Sequence, residues 1–476
     1  MGSRMTLKRL PEKIIISFIV SMALFMEAVD TTILNTAIPA MSRSFDVNPI
    51  NLKIALISYL LSLSIFIPVS GWVADKYGIK RVFMSALAIF TLSSIWCGFS
   101  QTIPELVLAR ILQGLGGAFM LPVGRLILVL TFERHELIYA TNRVVMVVAV
   151  GLMFGPVLGG FITHYLSWHW IFWVNVPIGI LTITMAQLWL KSSAPQKVPP
   201  LDKLGFVLFG CGLAGLVFGL SAFSESSVSI WIAITIIAVA IVLLVFYVLH
   251  SRKMRHPIVK TKLFTARTFQ ISTLGNLISR LGFGGIPFLL PLLFQIGLGY
   301  SSVASGLLLA PMALGVLMIK PFTMPLLRRL GYKRLLMINT TLVAGALWAF
   351  MIINSNTSLY VIASLTFLFG FLISLQYSGM SSLAYSDVDA ADLSSATSIV
   401  STIQQLAQSF GVAVGALMVR IFTPTSENTF LLTTRIFHEA FFTMGVLTLF
   451  SILIFIRLKP NDGHQMIKKK VPVPIS

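Results

Sequence analysis

Two acidic side chains stand in a run of otherwise apolar and uncharged residues, Glu27 and Asp30 within LFMEAVDTTILNTAIP (24–39). Spaced three apart, they share one face if the run is helical. A carboxyl group in apolar surroundings with a cation nearby can take up and release a proton near neutral pH. That is the chemistry needed to couple a proton gradient to other work. The alternative is a carboxylate held permanently by a cation such as Arg110. Arg110 itself lies in an apolar run, where an arginine costs about 3 kcal/mol or more unless it meets a partner or a wet cavity. Arg125, Arg143, Arg280 and Lys320 also fall within or at the ends of apolar runs. Two acids cannot neutralise five cations. Either the cations line a wet cavity or snorkel to a surface, or the solute handled is an anion. A carboxylate-bearing solute such as citrate, a siderophore or its metal complex would suit Arg280 and Lys320. Other chemistries find no residues. Cys97 and Cys211 are isolated in apolar runs, no His/Cys set has metal-ligand spacing, and P-loop and G-x-S-x-G patterns are lacking. The expectation is no metal, no bound cofactor beyond the proton gradient, and no enzyme.

The elements that must hold these residues follow from composition. Of 476 residues 56% are hydrophobic and 11% charged, where a soluble chain carries about 25% charged residues. A bilayer core about 30 Å thick needs roughly 20 apolar residues per helix. That ruler gives about fourteen spans, near 14–38, 51–73, 82–100, 104–129, 138–163, 170–190, 204–223, 229–249, 268–295, 302–326, 335–354, 358–381, 394–420 and 437–456. Runs this long are helices, since only helices and closed barrels satisfy the backbone in lipid and barrel strands are about half this length. With the N-terminus inside, nearly all lysines and arginines fall on the inner side, from Lys8 and Lys13 to the tail's Lys468, Lys469 and Lys470. Arg43, Lys53, Arg420 and Arg435 fall outside. The net charge of +19 is thereby explained by inner loops, without nucleic acid as a partner. Gly78-Ile79-Lys80-Arg81 and Gly331-Tyr332-Lys333-Arg334 repeat a Gly-x-Lys-Arg turn after the second and tenth spans. The expected organisation is a six-helix bundle over 1–190, two extra spans over 191–267, and a second six-helix bundle with tail over 268–476. Repeat-built transporters bind substrate near the midplane between the repeats. Phe25, Asn35, Tyr59, Gln295, Tyr377 and Gln404 are the polar or aromatic candidates for lining that site, beside Arg280 and Lys320.

Five motifs resemble those of the major facilitator superfamily. Gly71-Trp72-Val73-Ala74-Asp75-Lys76-Tyr77-Gly78-Ile79-Lys80-Arg81 is similar to its G-x-L-a-D-r-x-G-r-k-x loop. Gly71 would let helices approach, and Asp75 would pair with basic groups as a conformational latch with Gly78 and Arg81. The second copy lacks the leading glycine and aspartate. Arg110-x-x-Gln113-Gly114 resembles a motif to which the family assigns proton transfer or its gating. Gly151, Gly155, Pro156, Gly159 and Gly160 match G-x-x-x-G-P-x-x-G-G, a signature of antiporters, with small residues at i and i+4 for close helix packing. Residues 24–39 resemble the fourteen-span drug:proton antiporter branch, which places its coupling acid at Asp30. Trp168-His169-Trp170 through Asn175-Val176-Pro177 resembles the same branch, and the histidine in place of its usual arginine resembles an MdtD-like group of multidrug transporters. Gln404-Gln405 stands where the branch often has arginine. The resemblance implies a multi-pass monomer of the bacterial inner membrane, both termini cytoplasmic, exporting drug-like compounds, organic anions or metal chelates against protons. Proton-coupled import of a siderophore, chelate or organic anion is the alternative.

Overall fold

The computed structural model describes residues 12–192, 194–225, 228–389, 392–423 and 432–467, so Lys8 and Lys468 to Lys470 lie outside the described residues. It is all helix. Among the described residues there are fourteen apolar helices, α1 Glu12–Phe45, α2 Lys53–Tyr77, α3 Ile79–Phe99, α4 Ile103–Thr131, α5 Arg134–Tyr165, α6 Trp170–Trp189, α7 Lys203–Ala222, α8 Ile230–Lys253, α9 Arg267–Gly297, α10 Ser302–Met318, α11 Lys320–Ala349, α12 Leu359–Ala384, α13 Leu393–Phe422 and α14 Thr434–Phe455. Among the described residues thirteen are long and apolar enough to cross a membrane, and the 17-residue α10 is apolar but shorter.

The expected tenth span, 302–326, is not one element. Pro321 has no N–H to offer the Leu317 carbonyl, and the helix is interrupted at Ile319 before resuming at Lys320. The reversal into the next crossing comes at Gly331, with φ 71° inside α11. Gly78 makes the corresponding turn between α2 and α3 at φ 91°. Both Gly-x-Lys-Arg copies therefore begin on a backbone that strongly favours glycine. In α9, Gly284 and Gly285 fall between two helical pieces, and a Cβ on Gly285 would come within 2.5 Å of the Gly411 carbonyl on α13.

Packing differs at the two ends of the molecule. We call the end with the α2–α3 and α10–α11 turns the basic end, after Lys80, Arg81, Lys333 and Arg334. At the opposite end one apolar core runs from Ile33, Ile57, Leu106 and Phe172 through Phe288, Phe350, Phe369 and Phe437, joining α1–α6 to α9–α14. Toward the basic end α1–α6 pack around Phe83 and Phe90, while α9–α14 pack around Leu336 and Met380 in a separate core. Close backbone contacts reinforce the joined end. The Ser302 hydroxyl donates to the Gly160 carbonyl (3.0 Å), and Gln295 Nε2 donates to the Thr36 carbonyl (3.0 Å). α2 and α13 remain adjacent further along, the Ser398 hydroxyl reaching the Ile67 carbonyl at 3.5 Å.

The α7–α8 hairpin leans on α2 and α13. Lys53, expected on the outer side, is buried and pairs at 2.7 Å with Glu225, just beyond the end of α7. The segment leading into α7 returns along α2, with Gln196 N donating to the Asp75 carbonyl (2.8 Å) and Trp72 Nε1 to the Pro199 carbonyl (2.7 Å).

Candidate transport site

The charged centre is assembled by five helices. Asp30 on α1 and Arg110 on α4 are both 0% exposed and paired at 2.7 Å. Gln113, one turn beyond Arg110, donates Nε2 to Asp30 Oδ1 (2.8 Å) and to the Ser94 hydroxyl of α3 (2.7 Å), and accepts from Arg110 Nη1 (2.7 Å). Asn175 on α6 donates to Asp30 Oδ1 at 2.9 Å. Arg110 Nε donates to the Ala55 carbonyl (3.2 Å), and its guanidinium lies 4.3 Å from the Tyr59 ring centroid. Asp30 thus accepts from three side chains.

A cavity of about 430 Å³ adjoins this centre, lined by residues of α1, α2, α4, α5, α9, α10, α12 and α13. Glu27, Asn35, Tyr59, Arg110, Arg280 and Tyr377 reach it, whereas Asp30 does not. Glu27 is the one carboxylate in its wall, and among the described residues no cation lies within ion-pair distance of it. Across the cavity, Arg280 is 9% exposed, donates Nη1 to Gln408 Oε1 (3.1 Å), and stacks on Tyr377 with 3.9 Å between guanidinium and ring centroid.

The glycines of α5 bring its backbone close to its neighbours. Methyl carbons at Gly155 and Gly159 would overlap the Thr32 and Thr36 hydroxyls of α1, and one at Gly151 would meet the Phe25 carbonyl at 3.0 Å. Gly160 instead faces the Ser302 carbonyl of α10, and Pro156 lines the cavity. This stripe lets α1 lie against α5 and fixes where Glu27 points.

Several expectations require correction. Phe25 packs at Gly151 and does not line the cavity. Gln295 is spent on Thr36, tying α9 to α1. Gln404 bonds the Ser381 hydroxyl (3.0 Å), while its neighbours Gln405 and Gln408 face the cavity. Lys320 is exposed, donates to the Ser378 hydroxyl (3.0 Å), and stands outside the cavity wall. Gly71 has open space where a Cβ would sit, so close helix approach does not explain it. Among the described residues no basic side chain lies within ion-pair distance of the Asp75 carboxylate, and Arg81 is exposed; with the cores apart at this end, the latch partner is not at hand. Gln113, Ser94 and Asn175 were not expected as site residues. Gln113 follows Arg110 by three within its motif, and that spacing on one helix face was the available signal. His169 stacks on Trp168 at 3.8 Å between ring centroids and contacts the Ser167 hydroxyl at 3.2 Å. Partial burial lowers its pKa from the ordinary histidine value, which keeps it neutral near pH 7.

A polytopic helical protein with a largely apolar cavity at mid-helix, edged by a few charged and polar side chains, has the architecture of a membrane transporter. The chain matches the Major Facilitator Superfamily over residues 20–412 and 272–474, and it belongs to that superfamily. It is 36% identical over 449 residues to MdtD of Escherichia coli O157:H7 and of Shigella flexneri serotype 5b, covering 94% of this chain and 95% of theirs. MdtD carries a provisional assignment to multidrug resistance. Among solved structures it resembles an auto-inhibited POT family peptide transporter (TM-score 0.67, 16% identity, 93% of this chain and 97% of that one). The human organic anion transporter TETRAN also matches (TM-score 0.61, 15% identity, 94% and 100%). At these identities the structural likeness is one of fold.

Proposed function

We propose that this superfamily transporter is a proton-coupled exporter of small molecules working by alternating access across the bacterial inner membrane, as a monomer with both termini cytoplasmic. Residues 1–190 and 268–476 form the two bundles that rock about the cavity, and 191–267 carry the linking hairpin. The observation that carries this reading is the division of labour between two carboxylates one turn apart. Asp30 is consumed by Arg110, Gln113 and Asn175, whereas Glu27 stands in the cavity wall with no described cation against it. Glu27 is then the group that exchanges its proton with the cavity, and the Asp30–Arg110 pair sets the field it feels. Protonation removes a charge from the cavity and biases which side opens, since a ligand shifts a two-state equilibrium only through its differential interaction with the two states. The similarity to MdtD favours export of drug-like compounds. The uncompensated Arg280 favours organic anions or metal chelates, and is also what an importer of such solutes would need.

The test is proton flux in proteoliposomes of wild-type protein, Glu27→Gln and Asp30→Asn, challenged with a lipophilic cation or an organic anion. Protons moving opposite to the solute in wild-type but not in Glu27→Gln support the reading. Protons moving with the solute would establish import instead, and unchanged coupling in Glu27→Gln would place the proton site elsewhere.

A further inference from the structure

The cavity wall holds two arginines in unlike circumstances. Arg110 has Asp30 as counterion. Arg280 has none: among the described residues no carboxylate lies within ion-pair distance, its Nε lacks an acceptor, and only Gln408 accepts from it. Arg280 is nonetheless nine-tenths covered. A guanidinium removed from water without a counterion is costly, which makes its surroundings informative. The surroundings are built. Gln408 Nε2 donates to the Gly284 carbonyl at 2.6 Å, which turns its oxygen toward Arg280. A Cβ at Gly411 would come within 2.5 Å of the Arg280 carbonyl, so α9 and α13 meet backbone to backbone behind it. Tyr377 covers one face of the guanidinium. With one face stacked, the edge remains for a planar acceptor, and the planar partner matching that fork is a carboxylate.

We infer that Arg280, seated by Gln408 and Tyr377, binds the carboxylate of an amphipathic organic acid bearing a single negative charge. This rests on the proposed transport reading and narrows its substrate class. Charge balance sets the number of carboxylates. Lys320 stands outside the wall, Arg110 is neutralised, and Arg280 is the remaining cation among the lining residues. A second carboxylate would find no further unpaired cation among the lining residues. The body of the substrate meets Pro287, Leu309, Met312, Val316, Ile373 and Val412, which favours an aromatic or aliphatic group. About 430 Å³ suits a drug-sized molecule. Polycarboxylates such as citrate, which the sequence alone brings to mind for Arg280 and Lys320 together, fit poorly.

The experiment is equilibrium binding to the detergent-purified full chain of three dansyl probes sharing one fluorophore: dansylglycine, its methyl ester, and dansyl-ethylenediamine. The expected result is saturable binding of the acid, with ester and amine weaker by about ten-fold or more, the scale of a lost charge-assisted hydrogen bond. Arg280→Gln should weaken the acid alone to the same degree, Arg280→Lys should restore part of it, and citrate should compete poorly. Equal binding of acid and ester by wild-type protein would overturn the inference without recourse to any variant. So would Arg280→Gln binding the acid at full affinity, or citrate displacing the acid at lower concentration than unlabelled phenylbutyrate does. Binding needs no proton gradient, so ester discrimination holds or fails independently of the liposome test of coupling and direction.

Discussion

The two buried arginines invite comparison because the same side chain, in the same fold and against the same cavity, is handled in two ways. On the α1–α6 side Arg110 is locked to Asp30 and surrounded by Gln113, Asn175 and Tyr59. On the α9–α14 side Arg280 rests on Tyr377 and a single glutamine, with no acid of its own. Arg110 is neutralised by its acid, whereas Arg280 faces the cavity without one, and this difference is the basis for proposing an anion site at Arg280. Glu27 and Arg280 both line the cavity, and in the proposed mechanism the first handles the proton and the second the substrate.

The largest effect should come from breaking the fixed pair. Asp30→Asn leaves Arg110 buried without a counterion, and removing one partner of a buried pair costs about 3–5 kcal/mol. Thermal unfolding in detergent should show a marked fall in melting temperature, partly regained in Asp30→Asn with Arg110→Gln. An undiminished melting temperature in the single variant would deny that the pair is structural. Next, Gly155→Val should press α1 away from α5, since even a methyl carbon overlaps Thr32 there. Overpacking of this kind costs about 1–3 kcal/mol, and transport should fall with it, while Gly71→Val should be tolerated because the space is open. A smaller effect on stability is expected for Glu27→Gln, which keeps shape and leaves no ion pair broken. Its melting temperature should stay near wild-type while solute-driven proton movement is lost, the reverse of the Asp30→Asn pattern. The smallest change belongs to Lys320→Gln, where an exposed amine loses one hydrogen bond to Ser378. Affinity for organic acids should move by less than about three-fold, the scale of exposed polar contacts.

Much of this was legible in the sequence for physical reasons. A span leaves an unmistakable mark because lipid tolerates so few unpaired polar groups, and the glycine spacing of α5 reports directly on how near α1 can lie. The repeated Gly78 and Gly331 turns were legible because each needs a positive φ. Asp30, Glu27 and Arg110 were legible because charges in apolar runs are costly and stand out. What the sequence did not disclose was depth and partnership. Asp30 and Glu27 look alike three residues apart, yet one faces Gln113 and Asn175 from distant helices and the other faces a cavity. Lys320 and Arg280 look alike as surplus cations, but Lys320 is exposed beside the interruption at Ile319, whereas α9 and α13 meet at Gly284 and Gly411 behind Arg280. Gln404 and Gln408 sit one turn apart on α13, and which of them meets Arg280 depends on where that helix abuts α9.

The central claim is that Glu27, and not Asp30, exchanges a proton with the cavity. Infrared difference spectra between acid and neutral pH read this directly through the stretching band of a protonated carboxyl group. The account predicts that the band present in wild-type protein vanishes in Glu27→Gln and persists in Asp30→Asn stabilised by Arg110→Gln. A band that survives in Glu27→Gln and disappears with Asp30 would contradict it.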